Sequence, residues 1–284
     1  MNADLGIPEQ AVQDIVARAL AEDLGPGDIT TLSTIPIGAR SQAAIIAKAE
    51  GVLAGLPVAE AVFRRLDSGI NFQPAYQEGD EVGPGREVAR LAGESRAILS
   101  GERTALNFVQ RLSGIATLTA QYLEAVKGTK ARICDTRKTA PGLRLLDKYA
   151  VRVAGGCNHR TGLFDGILIK DNHIRAAGGI RSAVERVRRQ AHHLLRVEVE
   201  AQSREQVEEA IAAGTDVIML DNMNLEQVRQ AVRFIAGRAE TEVSGGITLE
   251  TVRSYAECGV GYISVGELTH SPKALDFALE IIPG

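Results

Sequence analysis

The fold is decided between Leu195 and Glu267, where four short apolar runs follow one another: LRVEVEAQ (195–202), DVIMLDN (216–222), TEVSGG (241–246) and GYISVGE (261–267). Each closes on a charged, amide or glycine residue, and the sequence between them has a helical pattern. A strand that returns through a helix to the next strand pairs in parallel, with a right-handed crossover. Outward toward the amino terminus, ARICDTRK (131–138) and DGILIKDN (165–172) repeat the pattern. The roughly 140 residues involved fall short of the ~250 that a full eight-unit barrel takes. The expected fold class is therefore α/β, an incomplete α/β barrel of about six parallel strands.

Ahead of the barrel, PEQAVQDIVARALAEDLG places Val12, Ile15, Val16, Ala19 and Leu20 at helical spacing and stops at a glycine. Strand-like AAIIAKAEG, INFQPAY and EVARLAG surround a helical GLPVAEAVFRRL. From Ser95 to about Gly128 the pattern is helical again, with a break expected at Ser113-Gly114. The division expected is an N-terminal α+β sandwich domain over 1–113 and a barrel over 114–269, with 270–284 packing back on the first domain.

With 284 residues, 45% hydrophobic and 24% charged, the composition is that of a soluble globular protein. No run approaches the ~18 apolar residues of a membrane helix, and MNADLGIPEQ lacks a basic stretch followed by an apolar one, so a cytoplasmic protein is expected. Three irregularly spaced cysteines, Cys134, Cys157 and Cys258, speak against a disulfide framework. A net charge of −4 speaks against general nucleic-acid binding, so an anion site has to be a local basic pocket.

Reactive groups in such folds collect at the carboxyl ends of strands. Three sets stand there. The cationic set is Arg137, Lys138 and Lys170, joined by His159 and Arg160 of the CNHR loop and by Arg103 of GERTALNF. Like charges gathered in a partly dry pocket point to a ligand with several carboxylates or phosphates; the plain alternative is that each pairs with a surface carboxylate. Lys170 is set apart because it interrupts ILIKD, where a buried lysine is costly without a partner. The acidic set is Glu200 and Asp221, on neighbouring strands and suited to holding Mg²⁺ with a pyrophosphate. Asp221 could instead cap a helix, and Glu198, two residues before Glu200, faces the same way, so which glutamate dominates stays open. The third set is Ser244, Gly245 and Gly246 with Gly266, where backbone N–H groups can approach a phosphate.

The run DTRKTAPGLRLLDKYAVRVAGGCNHRTGLFDGILIKDNHI (135–174) resembles the signature region of the quinolinate phosphoribosyltransferase family, also called nicotinate-nucleotide pyrophosphorylase (carboxylating). The resemblance continues, in the same order, through EDLGPGDITT (22–31), GERTALNFVQRLSGIAT, VEVEAQS, IMLDNM, VSGGI and VGELTHS. It implies transfer of phosphoribosyl from phosphoribosyl pyrophosphate to quinolinate with decarboxylation, giving nicotinate mononucleotide, pyrophosphate and CO₂. It further implies quinolinate binding by Arg103, Arg137, Lys138, His159, Arg160 and Lys170, with Arg103 supplied by the neighbouring subunit of a homodimer or dimer-based hexamer. Glu200 and Asp221 match the sugar and Mg²⁺ groups, and Ser244, Gly245, Gly246, Gly266 and His270 match the phosphate loops. Lys138 and Lys170 are the two alternatives for protonating the carbanion that decarboxylation leaves. The rivals are a nicotinate-specific or other paralogous transferase and a non-catalytic nucleotide sensor.

Overall fold

The computed structural model describes residues 6–282 and divides into two compact units. The first five residues, on which part of the leader reading rests, and the last two of the segment 270–284 lie outside the described residues. The first unit takes the chain up to Ala120, Ala140–Gly155 and the chain from Ser271 on; the second takes Gln121–Thr139 and Gly156–His270.

The first unit opens with α1 (Glu9–Leu24), which buries Val12, Ile15, Val16 and Leu20 as one stripe and ends at Gly25, φ 50°. After α2 (Ile29–Thr34) come β1 (Arg40–Ala47), β2 (Gly51–Val52), α3 (Leu56–Leu66), β3 (Asn71–Pro74), β4 (Glu81–Val82), β5 (Glu87–Glu94) and the long α4 (Ser95–Ala125). Helix α4 runs unbroken through Ser113-Gly114, which corrects the expected break. Both residues serve close packing instead. Ser113 Oγ accepts from the Ala54 N–H at 2.9 Å and donates to the Ala54 carbonyl at 3.1 Å. A Cβ on Gly114 would sit 2.2 Å from the Lys273 carbonyl oxygen, so only glycine lets that segment approach.

The second unit takes the end of α4 from Gln121 and then β6 (Arg132–Cys134). Next along the chain is α5 (Arg144–Val153), which clusters with the first unit, whereas sequence alone assigned it to one continuous barrel segment. Its anchor is Asp147, which is fully buried. The carboxylate accepts from Arg111 Nε and Nη2 of α4 at 2.9 and 2.8 Å and from the Ala140 N–H at 3.0 Å. On the same helix Tyr149 Oη donates to Glu78 Oε2 at 2.6 Å, and Glu78 also accepts the Gly55 and Leu56 N–H groups at the start of α3.

The remaining strands are β7 (Ile167–Ile169), β8 (Val197–Ala201), β9 (Val217–Asp221), β10 (Glu240–Ser244) and β11 (Tyr262–Ser264), separated by α6 (Asp171–Ala177), α7 (Ile180–Gln190), α8 (Arg204–Ala212), α9 (Leu225–Ile235) and α10 (Leu249–Ala256). The short α11 (Glu267–His270) follows β11, and β12 (Phe277–Ile282) then returns to the first unit, antiparallel to β1, with Ala47 opposite Phe277 and Gln42 opposite Ile282. The first sheet is ordered β12-β1-β5-β3 and the second, all parallel, β6-β11-β10-β9-β8-β7. The α/β barrel is incomplete because β6 and β7, which would pair in a closed barrel, remain the two edges. Among the described residues the outer side of β6 carries a single parallel bridge, Cys134 to Cys157.

Side chains alternate across a strand, and the register places Leu168, Glu198 and Val217 in one row and Glu200, Met219, Glu242 and Tyr262 in the next on the same face. The opposite face holds Ile133, Ile169, Val199, Ile218, Leu220, Val243 and Ile263, all buried. One face of the sheet is thus apolar core, and the other is loaded with carboxylates.

Candidate active site

Continuing the register by one residue puts Lys170 beside Glu200, and Ser244 beside Asp221. Lys170 Nζ donates to Glu200 Oε2 at 3.1 Å. Strand β7 stops at Ile169, and the Lys170 side chain is 48% exposed, so the expectation of a lysine buried within a strand is corrected: it stands at the strand end, ahead of α6. Burial pushes the Glu200 carboxyl up, Lys170 pulls it down, and the neighbouring Asp221 charge pushes it up again; the net direction is upward. Asp221 accepts from Gln202 Nε2 at 3.2 Å and from Asn222 Nδ2 at 2.7 Å. It does not cap α9. That cap is Asn224, which takes the Gln227 N–H.

Asn222 itself lies in the left-handed region, φ 54°, and its N–H donates to the Ser244 carbonyl at 3.0 Å. Gly245 follows at φ 95°, where a Cβ would meet Asn222 Oδ1 at 2.2 Å, so the turn after β10 requires glycine on both counts. At Gly266 a Cβ would come within 3.0 Å of Lys138 Cδ and 3.2 Å of His270 Cδ2. Thr269 Oγ1 ties down the Lys138 carbonyl at 2.9 Å. Lys138, Gly266 and His270 are therefore neighbours.

The CNHR loop is organised by Asp135, fully buried just after β6, which accepts Asn158 Nδ2 at 2.6 Å and the His159 N–H at 2.9 Å. His159 Nδ1 accepts the Arg160 N–H at 2.8 Å, so Nε2 carries the proton and donates to Glu198 Oε2 at 3.0 Å. Arg160 Nη1 donates to the Gly166 carbonyl at 3.0 Å, and burial together with the Arg137 charge lowers its guanidinium pKa. Arg137 and Arg160 are thus close like charges, and Arg137 Nε is buried without a partner. Glu198 Oε1 is buried without one too. His159, Arg160 and Glu198 line a cavity of about 510 Å³ together with Cys134, Arg196 and Glu242; Arg137 is not part of that lining.

One ligand atom each of His159, Glu198 and Glu242 lies within 4.8 Å of the others, the one such trio found among the described residues. Because Nε2 is the protonated nitrogen, it has no lone pair to offer, and the trio is a hydrogen-bonded column rather than a ready metal site. Glu242 went unnoticed in the sequence although it stands two residues before Ser244 and so shares its face. Its carboxyl, which accepts Ser264 Oγ, is pushed up to about 7 by burial and by the Glu198 charge. A carboxyl raised in the folded state contributes stability that is present below its unfolded pKa and lost as pH rises through the folded value. Glu242→Gln should therefore raise Tm at pH 8 while leaving it nearly unchanged at pH 4.5; equal shifts in thermal melts at both pH values would remove this account of Glu242.

Of the cationic set, Arg137, Lys138, His159, Arg160 and Lys170 all belong to the second unit. Arg103 belongs to the first, exposed on α4, where it lines a cavity of about 370 Å³ with Asp23, Asp28, Ile29, Thr30 and Ser100.

Two family models match the chain: the quinolinate phosphoribosyl transferase N-terminal domain over residues 28–113 and its C-terminal domain over residues 115–280. The chain is 48% identical over 261 residues to the probable nicotinate-nucleotide pyrophosphorylase [carboxylating] of Bacillus subtilis (strain 168), covering 92% of this chain and 90% of that one. It is 43% identical over 293 residues to quinolinate phosphoribosyltransferase [decarboxylating] 1b of Nicotiana tabacum, covering 96% and 83%. Among solved structures, NadC from Streptococcus pyogenes superposes with a TM-score of 0.93 at 43% identity, over 98% of this chain and 99% of that one. With both family domains matched in order across the strands that carry these side chains, the chain belongs to the quinolinate phosphoribosyltransferase family.

Proposed function

We propose that this protein joins quinolinate to phosphoribosyl pyrophosphate and releases pyrophosphate and CO₂, leaving nicotinate mononucleotide, a step of de novo NAD synthesis. The observation that carries the reading is the meeting of opposite charges at neighbouring strand ends: Lys170 is bonded to Glu200, and Glu200 feels the charge of Asp221 on the next strand. A doubly negative heterocycle and an activated sugar need those two flanks side by side.

On the cationic flank, Arg137, Lys138, Arg160 and Lys170, with His159, hold the two carboxylates of quinolinate. The partnerless Nε of Arg137 supports this, since a buried donor without an acceptor costs about 1–3 kcal/mol unless a ligand supplies one. His159 is held in place by its hydrogen bonds to Glu198 and to the Arg160 N–H. The ring nitrogen attacks the anomeric carbon as pyrophosphate leaves, and the positive charge growing on the sugar faces Glu200 and Asp221. The backbone N–H groups around Ser244, Gly245, Gly246 and Gly266, with His270 at the last of them, receive phosphate oxygens. After the nitrogen becomes quaternary, the ring accepts the electrons left by the departing 2-carboxylate, and Lys170 or Lys138 protonates the carbanion.

Glu200 and Asp221 also fit Mg²⁺, directly or through the ribose hydroxyls. Two adjacent carboxylates, one of them raised by burial and by the other's charge, are a donor set that a divalent cation relieves. Bound there, Mg²⁺ would supply charge neutralisation for the pyrophosphate.

Arg103 of the partner subunit completes the site in a homodimer, alone or within a dimer-based hexamer. The exposure of Arg103 supports this, together with Ile29 in the same cavity lining, which is 79% exposed and apolar. Among the described residues no helix is long and apolar enough to cross a membrane, and the three cysteines are free. A cytoplasmic location is the proposal consistent with both.

The test is to incubate purified protein with phosphoribosyl pyrophosphate, Mg²⁺ and either quinolinate or nicotinate, following nicotinate mononucleotide and CO₂. Nicotinate strands the charge meant for the second carboxylate. A broken buried ion pair costs about 3–5 kcal/mol, so kcat/KM should favour quinolinate by at least ~100-fold. Equal rates would favour a nicotinate enzyme, and tight nucleotide binding without CO₂ release would favour a sensor.

A further inference from the structure

Cys134 ends β6, and Cys157 is its partner in the parallel bridge on the open edge of the barrel. The Cys157 N–H donates to the Ile133 carbonyl at 2.8 Å, and the Cys157 carbonyl accepts from the Asp135 N–H at 3.1 Å. Partners in such a bridge put their side chains on the same side of the sheet, with backbones about 4.8 Å apart. That spacing falls inside the roughly 4.4–6.8 Å Cα separation that a disulfide spans. The bridge sets the two thiols side by side, and Arg132, two residues before Cys134, brings its positive charge to the Cys157 sulfur. Cys157 is half-buried, Cys134 is buried but lines the 510 Å³ cavity, and both are free thiols.

We propose that Cys134 and Cys157 form a site of reversible oxidation, at which peroxide converts the thiol pair into a disulfide that ties β6 to the CNHR loop. The two sulfurs divide the work. The neighbouring Cys134 sulfur and the Arg132 guanidinium lower the Cys157 thiol against burial and the Asp135 charge, while the Cys157 sulfur, burial and the Glu242 and Asp135 charges push Cys134 up. Cys157, the more exposed of the two and the one beside the Arg132 guanidinium, is thus the attacking thiolate. Its sulfur takes one peroxide oxygen as the O–O bond breaks, and the departing hydroxide leaves as water once protonated. Cys134 then attacks the sulfenic sulfur. The S–S bond forms, the S–O bond breaks, and the hydroxyl departs with the Cys134 proton as a second water. The net change is two thiols and one peroxide to one disulfide and two waters.

The reach of this bond is short but well aimed. Asp135 and the Asn158-His159 turn it holds begin one residue beyond each sulfur. Drawing the two side-by-side sulfurs into covalent contact pulls the loop toward β6 and takes His159 away from Glu198. That consequence rests on the function proposed above; the oxidation does not.

Full-length reduced protein treated with hydrogen peroxide and mapped by peptide mass without reduction should yield one linked Cys134–Cys157 peptide, lighter by two hydrogen atoms, that dithiothreitol separates. Cys258, which burial pushes up, should stay a thiol. Unlinked peptides, or linkage no faster than Cys258 oxidation, would overturn the site. In Cys134→Ser the reaction should stop at a sulfenic acid on Cys157 that dimedone traps, and absence of that adduct would sink the assigned order of attack. Kinetics form the separate arm: oxidation should raise KM for quinolinate about tenfold or more, dithiothreitol should restore it, and Cys157→Ser should be indifferent to peroxide. A linked peptide with unchanged KM would dismiss the displacement of His159 while leaving the disulfide standing.

Discussion

Lys170→Ala should lower kcat/KM for quinolinate by about 10³-fold, within the range that a general acid contributes, and most of the loss should appear in kcat. The reason lies in the pairing with Glu200. Removing the ammonium leaves Glu200 8% exposed beside Asp221, with two repelling carboxylates and no cation between them. It also removes one of the two lysines proposed to protonate the carbanion. Steady-state rates of nicotinate mononucleotide formation at saturating phosphoribosyl pyrophosphate measure the effect. Unaltered turnover would take Lys170 out of the mechanism and leave Lys138 as the remaining lysine. A loss confined to KM would make it a binding group only.

The second large effect is on folding. Arg111→Met should destabilise the protein by about 3–5 kcal/mol, because Asp147 is fully buried and would lose its two-pronged guanidinium partner while keeping the Ala140 N–H. For a chain of this size that corresponds to a Tm lower by roughly 10 °C. Pairing the change with Asp147→Leu should recover much of the loss, since replacing both partners of a buried ion pair with apolar groups is far cheaper than orphaning one. A single substitution that melts like the parent would mean that the pair contributes no stability.

The barrel was legible in the sequence for a physical reason. Its strands are buried on the helix-facing side and so consist of short β-branched or leucine runs such as Val197–Ala201 and Val217–Asp221, and crossover topology fixes which end works. The strand-end residues were legible for the same reason. Features that depend on tertiary partners were not. Ser113-Gly114 looks like a helix break until the Ala54 backbone and the Lys273 carbonyl are placed against it. Asp147 reads as an ordinary acidic residue in the first turn of α5, and only Arg111, 36 positions earlier, makes it an anchor. Glu242 sits in TEVSGG with nothing local to mark it. Its signal was strand parity with Ser244, which a search for terminal residues passes over.

One feature of the first sheet bears on how the protein is born. Strand β12 lies beside β1, yet 229 positions separate Phe277 from Lys48, whose ammonium donates to Glu280 in the middle of β12 at 2.7 Å. A ribosome working at about 5–20 residues per second finishes all six parallel strands before that edge can be sealed. The amino-terminal sheet therefore waits for synthesis to reach β12 with the long flank of β1 open to water and to other chains, and nascent-chain crosslinking should find chaperones there.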